Sequence, residues 1–204
     1  TSGCKVNTYD TSWIQKKLSD EGFSETGDNA KVQIFNTCAV TAEATKDSVR
    51  KIRALKRMNP DCLVVVTGCS AQVDTEQFQV LKEADYVVAN SHKGELGQLL
   101  KDISGNKAPA QKVYKSNIFK KEELEPGAGQ EKYHTRTFLK IQDGCNSFCT
   151  YCVIPFARGK SRSISIEQLT DHVNKLYNNG VEEVVITGIH IGDYLDENLS
   201  ENNK

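Results

Sequence analysis

The sequence lacks any long hydrophobic run. No stretch approaches the roughly 18 consecutive apolar residues of a transmembrane helix, and the opening "TSGCKVNTYD" lacks the basic and then apolar pattern of a signal peptide. These absences predict a soluble cytoplasmic protein without a membrane partner. The net charge is only −1, so any charged partner must be met by a local patch. The chain starts at Thr1 rather than Met and ends in the polar stretch "LDENLSENNK", so we expect a fragment of a longer protein.

Phosphate-binding glycine motifs are also missing. Neither G-x-G-x-x-G nor a Walker pattern follows any predicted strand, which argues against a nucleotide-binding domain with incidental cysteines. The seven cysteines are an odd number, and the predicted compartment is reducing, so a disulfide framework is disfavoured. Metal binding or redox chemistry becomes the leading explanation for these thiols.

The first hundred residues alternate short β-rich runs with helical patterns, which is typical of a parallel α/β sheet. The opening "TSGC" is interpreted as the tail of a first strand. Further strands are predicted at 31–36, 62–67 and 85–90, and helices at 9–21, 42–58, 74–82 and 93–103.

A polar segment divides the chain into two parts. Residues 105–133 are predicted to be a linker, because they are rich in glycine, proline and charge. A second β/α unit is predicted after it, with a strand at 136–142, a helix at 165–178 and a strand at 182–187. The predicted domains are therefore 1–104 and 134–204.

Three cysteines each follow a different strand, counting the interpreted one at the start: Cys4, Cys38 and Cys69. The carboxyl ends of parallel strands line one edge of a sheet, where ligands bind, so we expect the three thiols to converge. Glycine precedes Cys4 and Cys69 and would allow the backbone to approach a bulky inorganic group. The alternative is that each is a small buried hydrophobe, which is the interpretation given to Cys62 at the other end of its strand.

The stretch "GCNSFCTYC" places three further cysteines, Cys145, Cys149 and Cys152, on one loop. A structural zinc site usually takes four ligands from paired knuckles, and no second C-x-x-C occurs. His134 could serve as a fourth ligand, but it lies before the strand, at its far end. An iron–sulfur cube held by three cysteines keeps one iron free to bind a substrate or cofactor. A zinc site, unrelated thiols and a cluster remain open on spacing alone.

The C-x-x-x-C-x-x-C loop after a strand of a β/α unit resembles the radical S-adenosylmethionine (SAM) enzymes, in which an aromatic residue such as Tyr151 commonly precedes the last cysteine. That resemblance implies that Cys145, Cys149 and Cys152 are catalytic ligands of a [4Fe-4S] cluster whose free iron chelates SAM. It also implies that the second half is the start of a partial β/α barrel, truncated here.

Four motifs together resemble the methylthiotransferase family: "GCKVN", "NTCAV", "TGCSAQ" and "CTYCVIPFARGKSRS". The resemblance implies a flavodoxin-like amino-terminal domain whose Cys4, Cys38 and Cys69 hold a second [4Fe-4S] cluster. The opening "GCKVN" resembles the branch that modifies N6-threonylcarbamoyladenosine (t6A) in tRNA. The other branches act on isopentenyladenosine in tRNA or on an aspartate of a ribosomal protein, and they remain alternatives.

By the same resemblance, the enzyme adds a methylthio group to carbon 2 of adenosine 37 in the anticodon stem-loop. A radical formed from SAM would remove the hydrogen, the second cluster would provide the sulfur, and a second SAM the methyl group. The implied partners are tRNA and an electron donor such as flavodoxin or ferredoxin, with no role for DNA. A non-catalytic iron–sulfur or zinc protein is the alternative of a different class, but it predicts four-cysteine closure of each site.

Other residues carry weaker predictions. The resemblance implies cofactor contacts at Tyr151 and at Gly188, which follows the next strand, where the family contacts the cofactor; the alternative for Gly188 is an ordinary turn. Arg158 and Lys160 follow the cluster loop and are expected either to meet a carboxylate or phosphate of the cofactor or to be solvated, and the solvated alternative is favoured for Lys160. A basic stripe at helical spacing is either an RNA contact or a solvated helix face. It comprises Lys46, Arg50, Arg53 and Arg57.

Overall fold

A parallel sheet organises the amino-terminal half in the computed structural model, which describes residues 3–27, 30–105, 107, 109, 111–122, 124 and 136–196. In spatial order, the described strands are β1 (Val32–Thr37), β2 (Leu63–Gly68), β3 (Tyr86–Ala89) and β4 (Val113–Tyr114). Each pairs in parallel with the next. The prediction of an α/β fold with a parallel sheet is confirmed. The interpreted first strand before Cys4 lies largely outside the described residues.

Helices connect the strands. They are α1 (Lys5–Asp20), α2 (Ala42–Met58), α3 (Cys69–Val73), α4 (Thr75–Gln79) and α5 (Leu96–Ser104), with a 3-10 turn at Asn90–Glu95 before α5. The bounds predicted for α2 are confirmed; its Thr41 side chain caps the first turn by accepting from the Ala44 N–H at 3.1 Å. The helix predicted at 74–82 is present but shorter, because Asp74 leaves the helical region between two short helices and the second of these ends at Gln79.

The core lies on both faces of the buried strand β2. Alternation along a strand sends Val64 and Val66 to one face, where they pack with residues of α2 and α4. Val65 points to the other face, against α1 and α5. Helices thus cover both faces of the sheet, and the carboxyl ends of its strands are left as the edge at which the first cysteines lie.

The predicted linker contains secondary structure. Strand β4 extends the sheet by pairing Val113 with Val87, and a 3-10 turn at Ile118–Lys120 buries Ile118. An interpretation of the whole segment as a plain linker is therefore wrong for these residues, because two apolar side chains give them a place on the core. Residues 125–135, including His134, lie outside the described part, and the domain boundaries stay a prediction.

The second half begins with β5 (Thr137–Lys140), which pairs in parallel with β8 (Val184–Thr187). The helix α7 (Ile166–Asn178) connects them and is capped by Ser165. The single strand predicted at 136–142 is split, because Ile141 donates its N–H to Thr187 at 3.0 Å while its carbonyl accepts from Ile164 at 2.9 Å. The chain thereby changes partner and continues as β6 (Gln142–Asp143), antiparallel to β7 (Arg162–Ser163). Helix α6 (Ile154–Arg158) lies between β6 and β7, and a 3-10 turn at Ile191–Asp193 follows β8.

Among the described residues, no helix combines the length and the apolar composition needed to cross a bilayer.

Candidate functional site

The first three cysteines are placed by the ends of secondary-structure elements. Cys4 is the N-cap residue of α1, Cys38 directly follows β1, and Cys69 is the first residue of α3, directly after β2. Thr37 pairs with Gly68, so Cys38 and Cys69 each follow a paired residue. A Cβ built on Gly3 would lie 2.9 Å from the Cys38 sulfur, and its φ of +115° also favours glycine. The backbone before Cys4 therefore passes directly against Cys38, while the convergence of all three thiols stays a prediction.

The loop that carries the other three cysteines, residues 144–161, is closed at its base by the β6–β7 pair. Gly144 has a φ of +74°, and a side chain there would overlap the Lys160 carbonyl, so both ends of the loop meet at this glycine. The Cys145 N–H donates to the Gly159 carbonyl at 3.2 Å, and the Cys152 N–H to the Cys149 carbonyl at 2.9 Å. Cys149 is exposed and the other two cysteines are partly buried, so solvent reaches all three residues.

Gln142 connects this loop to the segment after β8. Its side chain is fully buried, and its amide nitrogen donates to the Gly144 carbonyl at 2.7 Å and to the Ser161 hydroxyl at 2.9 Å. Its amide oxygen accepts the N–H groups of Ile189 and His190 at 3.0 and 2.9 Å. One side chain thus holds both ends of the cysteine loop against the neighbouring loop. Sequence reasoning missed it, since nothing local distinguishes this glutamine.

Replacing Gln142 by alanine is expected to lower the free energy of unfolding by roughly 1–3 kcal/mol, because buried N–H groups and a carbonyl lose their partner. It should also make any metal on the cysteine loop leave faster. The measurement is denaturant unfolding together with the rate of iron release to a chelator. Gln168 is an exposed glutamine on α7, and its alanine variant is the control. Equal behaviour of the two variants would contradict the role given to Gln142.

A network of five buried ionised side chains lies where the two halves meet. Its members are Asp10, Lys93, Lys140, Asp143 and Arg158. The carboxylate oxygens of Asp10 lie 2.6 Å from the Lys140 nitrogen, 2.9 Å from the Lys93 nitrogen and 3.1 Å from an Arg158 nitrogen. Those of Asp143 lie 3.0 Å from an Arg158 nitrogen and 3.2 Å from the Lys140 nitrogen. Since α1 contributes Asp10 and the loop of the second half contributes Arg158, the network joins the halves.

Neighbouring positive charges outweigh burial in setting the pKa values of the two carboxyl groups. Burial by itself would raise the pKa of Asp10, but Lys140, Lys93 and Arg158 hold that pKa well below its ordinary value. The pKa of Asp143 is likewise lowered against the effect of burial, chiefly by Arg158 and Lys140. Burial raises the pKa of the Cys69 thiol, and Arg158 and Lys93 oppose that rise. Both carboxylates are therefore ionised at neutral pH.

Arg158 was expected to contact a cofactor. The structure places its guanidinium between Asp10 and Asp143, with only 2% of the residue exposed. Direct contact with a cofactor would require one of these pairs to open, so its sequence-based role stays a prediction. Lys160 is exposed.

Tyr151 lies on the cysteine loop, and Gly188 directly follows β8. Tyr151 is 90% exposed, so its ring is free to contact a ligand. A Cβ on Gly188 would lie 3.1 Å from the Gln142 amide oxygen, so the close approach expected at this glycine is to Gln142. The cofactor contacts of both residues stay predictions.

His190 and Asp193 are site residues that sequence reasoning passed over. The His190 Nδ1 lies 2.9 Å from an Asp193 oxygen, and the ligand atoms of Cys145, His190 and Asp193 all lie within 4.8 Å of one another. Among the described residues, which include every cysteine, neither cysteine triad gathers its three sulfurs within that limit. Sulfurs on one tetrahedral zinc lie roughly 3.8 Å apart, so neither triad is arranged around a single zinc ion in this structure.

The basic stripe is exposed along α2 and partly neutralised. Arg50 lies 2.6 Å from Glu43, and Arg53 lies 3.9 Å from Glu83. These pairs favour the solvated-face interpretation of the stripe. Cys62 is buried at the amino end of β2, away from the edge that carries Cys38 and Cys69.

Two family models match different parts of the chain. Residues 139–201 match the radical SAM superfamily, and residues 1–89 match the uncharacterized protein family UPF0004. The cysteine loop thus lies in the part that is similar to the radical SAM superfamily, and the first three cysteines lie in the part that is similar to UPF0004.

Curated relatives match almost the whole chain. It is 40% identical over 197 residues to the threonylcarbamoyladenosine tRNA methylthiotransferase MtaB of Aquifex aeolicus, which covers 95% of this chain and 48% of that protein. The MtaB protein of Bacillus subtilis is 38% identical, with coverages of 95% and 43%. A tRNA-2-methylthio-N(6)-dimethylallyladenosine synthase of Staphylococcus epidermidis is 31% identical, with coverages of 95% and 39%. The chain thus spans about half or less of the length of these relatives.

Solved structures share the fold. The radical SAM methyltransferase TsrM from Kitasatospora setae, with cobalamin and a [4Fe-4S] cluster bound, matches 91% of this chain and 47% of its own with a TM-score of 0.63. The same enzyme with tryptophan and a SAM analogue bound gives a TM-score of 0.62. The identity is 15% in both cases, so the comparison supports the fold alone.

Proposed function

We propose that this chain is the cluster-bearing part of a tRNA methylthiotransferase, which adds a methylthio group to carbon 2 of N6-threonylcarbamoyladenosine at position 37. The observation that carries the proposal is that α3, whose first residue is Cys69, packs against α6, which follows Cys152. This contact supports the proposal, because it brings the helix that begins at Cys69 against the helix that follows Cys152, and a reaction that uses both triads would require them to be close. The similarity to curated t6A methylthiotransferases supports the substrate.

The residues present fit two [4Fe-4S] clusters. Each site offers three thiols, the soft ligands that iron–sulfur clusters take, and Cys4, Cys38 and Cys69 would hold one cluster while Cys145, Cys149 and Cys152 hold the other. The Asn90 amide lies 3.7 Å from the Cys69 sulfur as a donor, the kind of contact that tunes cluster sulfurs. When bound, the cluster on Cys145, Cys149 and Cys152 would supply the electron for SAM cleavage, and the cluster on Cys4, Cys38 and Cys69 would supply the sulfur.

The chain's own residues position and shield these sites. Gln142 holds the cysteine loop, and the buried ion network holds the two halves together, so the separation between the triads is set by the fold. Cys38 and Cys69 are buried while Cys149 and Tyr151 are exposed. SAM and the tRNA base would therefore enter on the side of Cys149, where Tyr151 and Gly188 would contact the cofactor. Reduction in the cytoplasm by a flavodoxin or ferredoxin is part of the proposal.

The test is a nucleoside analysis of tRNA after anaerobic reaction of the reconstituted full-length protein with SAM, a reductant and sulfide. We expect t6A to gain the mass of one methylthio group in tRNA that carries it, with no change in tRNA carrying isopentenyladenosine. Modification of isopentenyladenosine instead would favour the activity named for the Staphylococcus epidermidis relative. Absence of product with both tRNAs, in a protein that cleaves SAM, would contradict the proposal.

A further inference from the structure

The described members of the buried network carry more positive than negative charge. Its three cations, Lys93, Lys140 and Arg158, face two carboxylates, Asp10 and Asp143, and each of the five residues is at most 5% exposed. Because buried charge is unfavourable unless it is compensated, this arrangement favours an anion close to the network.

The cavity beside the network does not have room for a large anion. Its volume is about 10 Å³, and Lys121 and Arg162 contribute further positive charge to its wall. That space holds at most a single water-sized species. The balancing anion must therefore be a group of the protein itself or one bound to it.

The amino-terminal triad adjoins the helix that ends at Arg158. Helix α3, which begins at Cys69, packs against α6, whose last residue is Arg158. The guanidinium of Arg158 also reaches Asp10 on α1, the helix whose N-cap residue is Cys4. Asn90 also links the two elements, because its amide donates to the Ala157 carbonyl at 2.9 Å and lies 3.7 Å from the Cys69 sulfur.

We propose that Arg158, although carried by the loop of the second triad, is the counter-charge of the first triad: it stabilises the anionic, thiolate-ligated group held by Cys4, Cys38 and Cys69. The inference rests on the proposed function, since it takes a cluster to bind at that triad. It makes Arg158 a positioning and charge-balancing residue of the amino-terminal site, which is incomplete without the radical SAM domain.

The positive charge of Arg158 predicts the direction in which the reduction potential of that cluster would shift if the charge were removed. Reduction adds a negative charge to a cluster, and a nearby buried cation favours the reduced form by Coulomb attraction. Loss of the cation should therefore move the reduction potential of the amino-terminal cluster to more negative values. Loss of the negative charge of Asp10 should move it to more positive values.

The experiment isolates this site in protein whose Cys145, Cys149 and Cys152 are replaced by alanine. After anaerobic reconstitution with iron and sulfide, the potential is measured by electron paramagnetic resonance in a mediated redox titration. We expect Arg158→Gln to shift the potential negatively, Asp10→Asn to shift it positively and Arg158→Lys to retain most of the original value. Lys101, half exposed and paired with Glu21 outside the network, supplies the control Lys101→Gln, which should leave the potential unchanged.

Opposite shifts distinguish charge from structural damage, because a general loosening of the interface would move both network variants in one direction. Shifts of the same sign, or no shift, would overturn the inference while leaving the proposed function standing. A parent protein that binds no cluster at the amino-terminal triad would overturn the proposed function and the inference together. Asp10→Asn keeps the test decisive where Arg158→Gln yields no soluble protein.

Discussion

Replacement of Cys145, Cys149 and Cys152 together by alanine is expected to remove about half of the bound iron and to abolish SAM cleavage. Three thiolates of one loop leave one iron of a cluster open for the cofactor, so loss of all three removes the only place in the proposal where SAM meets iron. The amino-terminal cluster should remain, because its ligands follow other elements of the sheet. Iron and sulfide content, electron paramagnetic resonance and chromatography of 5′-deoxyadenosine measure the three outcomes.

Cys62 offers the matched control for that experiment. It is a free cysteine that is buried at the opposite end of β2 from Cys69, and its alanine variant should keep both clusters and full SAM cleavage. A triple variant that loses all its iron would show that the two sites are not independent. Zinc in place of iron in the native protein would indicate that the cysteine loop is a structural zinc site.

Replacement of Asp10 by alanine is expected to cost roughly 3–5 kcal/mol of stability, the range seen when one partner of a buried ion pair is removed. Three buried cations share this carboxylate, and each loses it at once. Such a loss is a large part of the 5–15 kcal/mol that typically stabilises a domain. Denaturant unfolding at neutral pH measures it.

Asp20 lies on the same helix and provides the control, since it forms only an exposed pair with Lys16 at 2.9 Å. Its alanine variant should change stability little, because exposed pairs contribute little. An equal loss of stability in both variants would indicate that the substitutions destabilise helix α1 itself and not the buried network.

The pH dependence of unfolding gives the same prediction a second measurement. The folded-state pKa values of Asp10 and Asp143 lie below their ordinary values, so their contribution is fully present above a pH of about 4, the pKa of an unfolded aspartate. It is lost as the pH falls from there toward the folded-state values. The Asp10→Ala variant should therefore lose less stability on acidification than the native protein, and parallel curves would contradict the role of Asp10.

Local patterns in the sequence were enough to indicate the α/β class and to predict six candidate ligands. The β/α alternation predicted β1, β2 and β3 within one residue of each end, and it predicted the bounds of α2. The cysteine spacings predicted two triads, because strand ends and a short loop place side chains through local geometry. These features depend on residues close together in the chain.

Only the tertiary structure decided which residues connect the two triads. The Lys140–Asp10 contact joins positions 130 residues apart, and Gln142 reaches His190 across 48, so no periodicity or motif could indicate either. Where Ile141 changes strand partner, the split of one predicted strand into β5 and β6 likewise depends on neighbours that are distant in sequence. The physical reason is common to all three: a buried polar or charged side chain is stable only where its partners converge, and that convergence exists only in the folded chain.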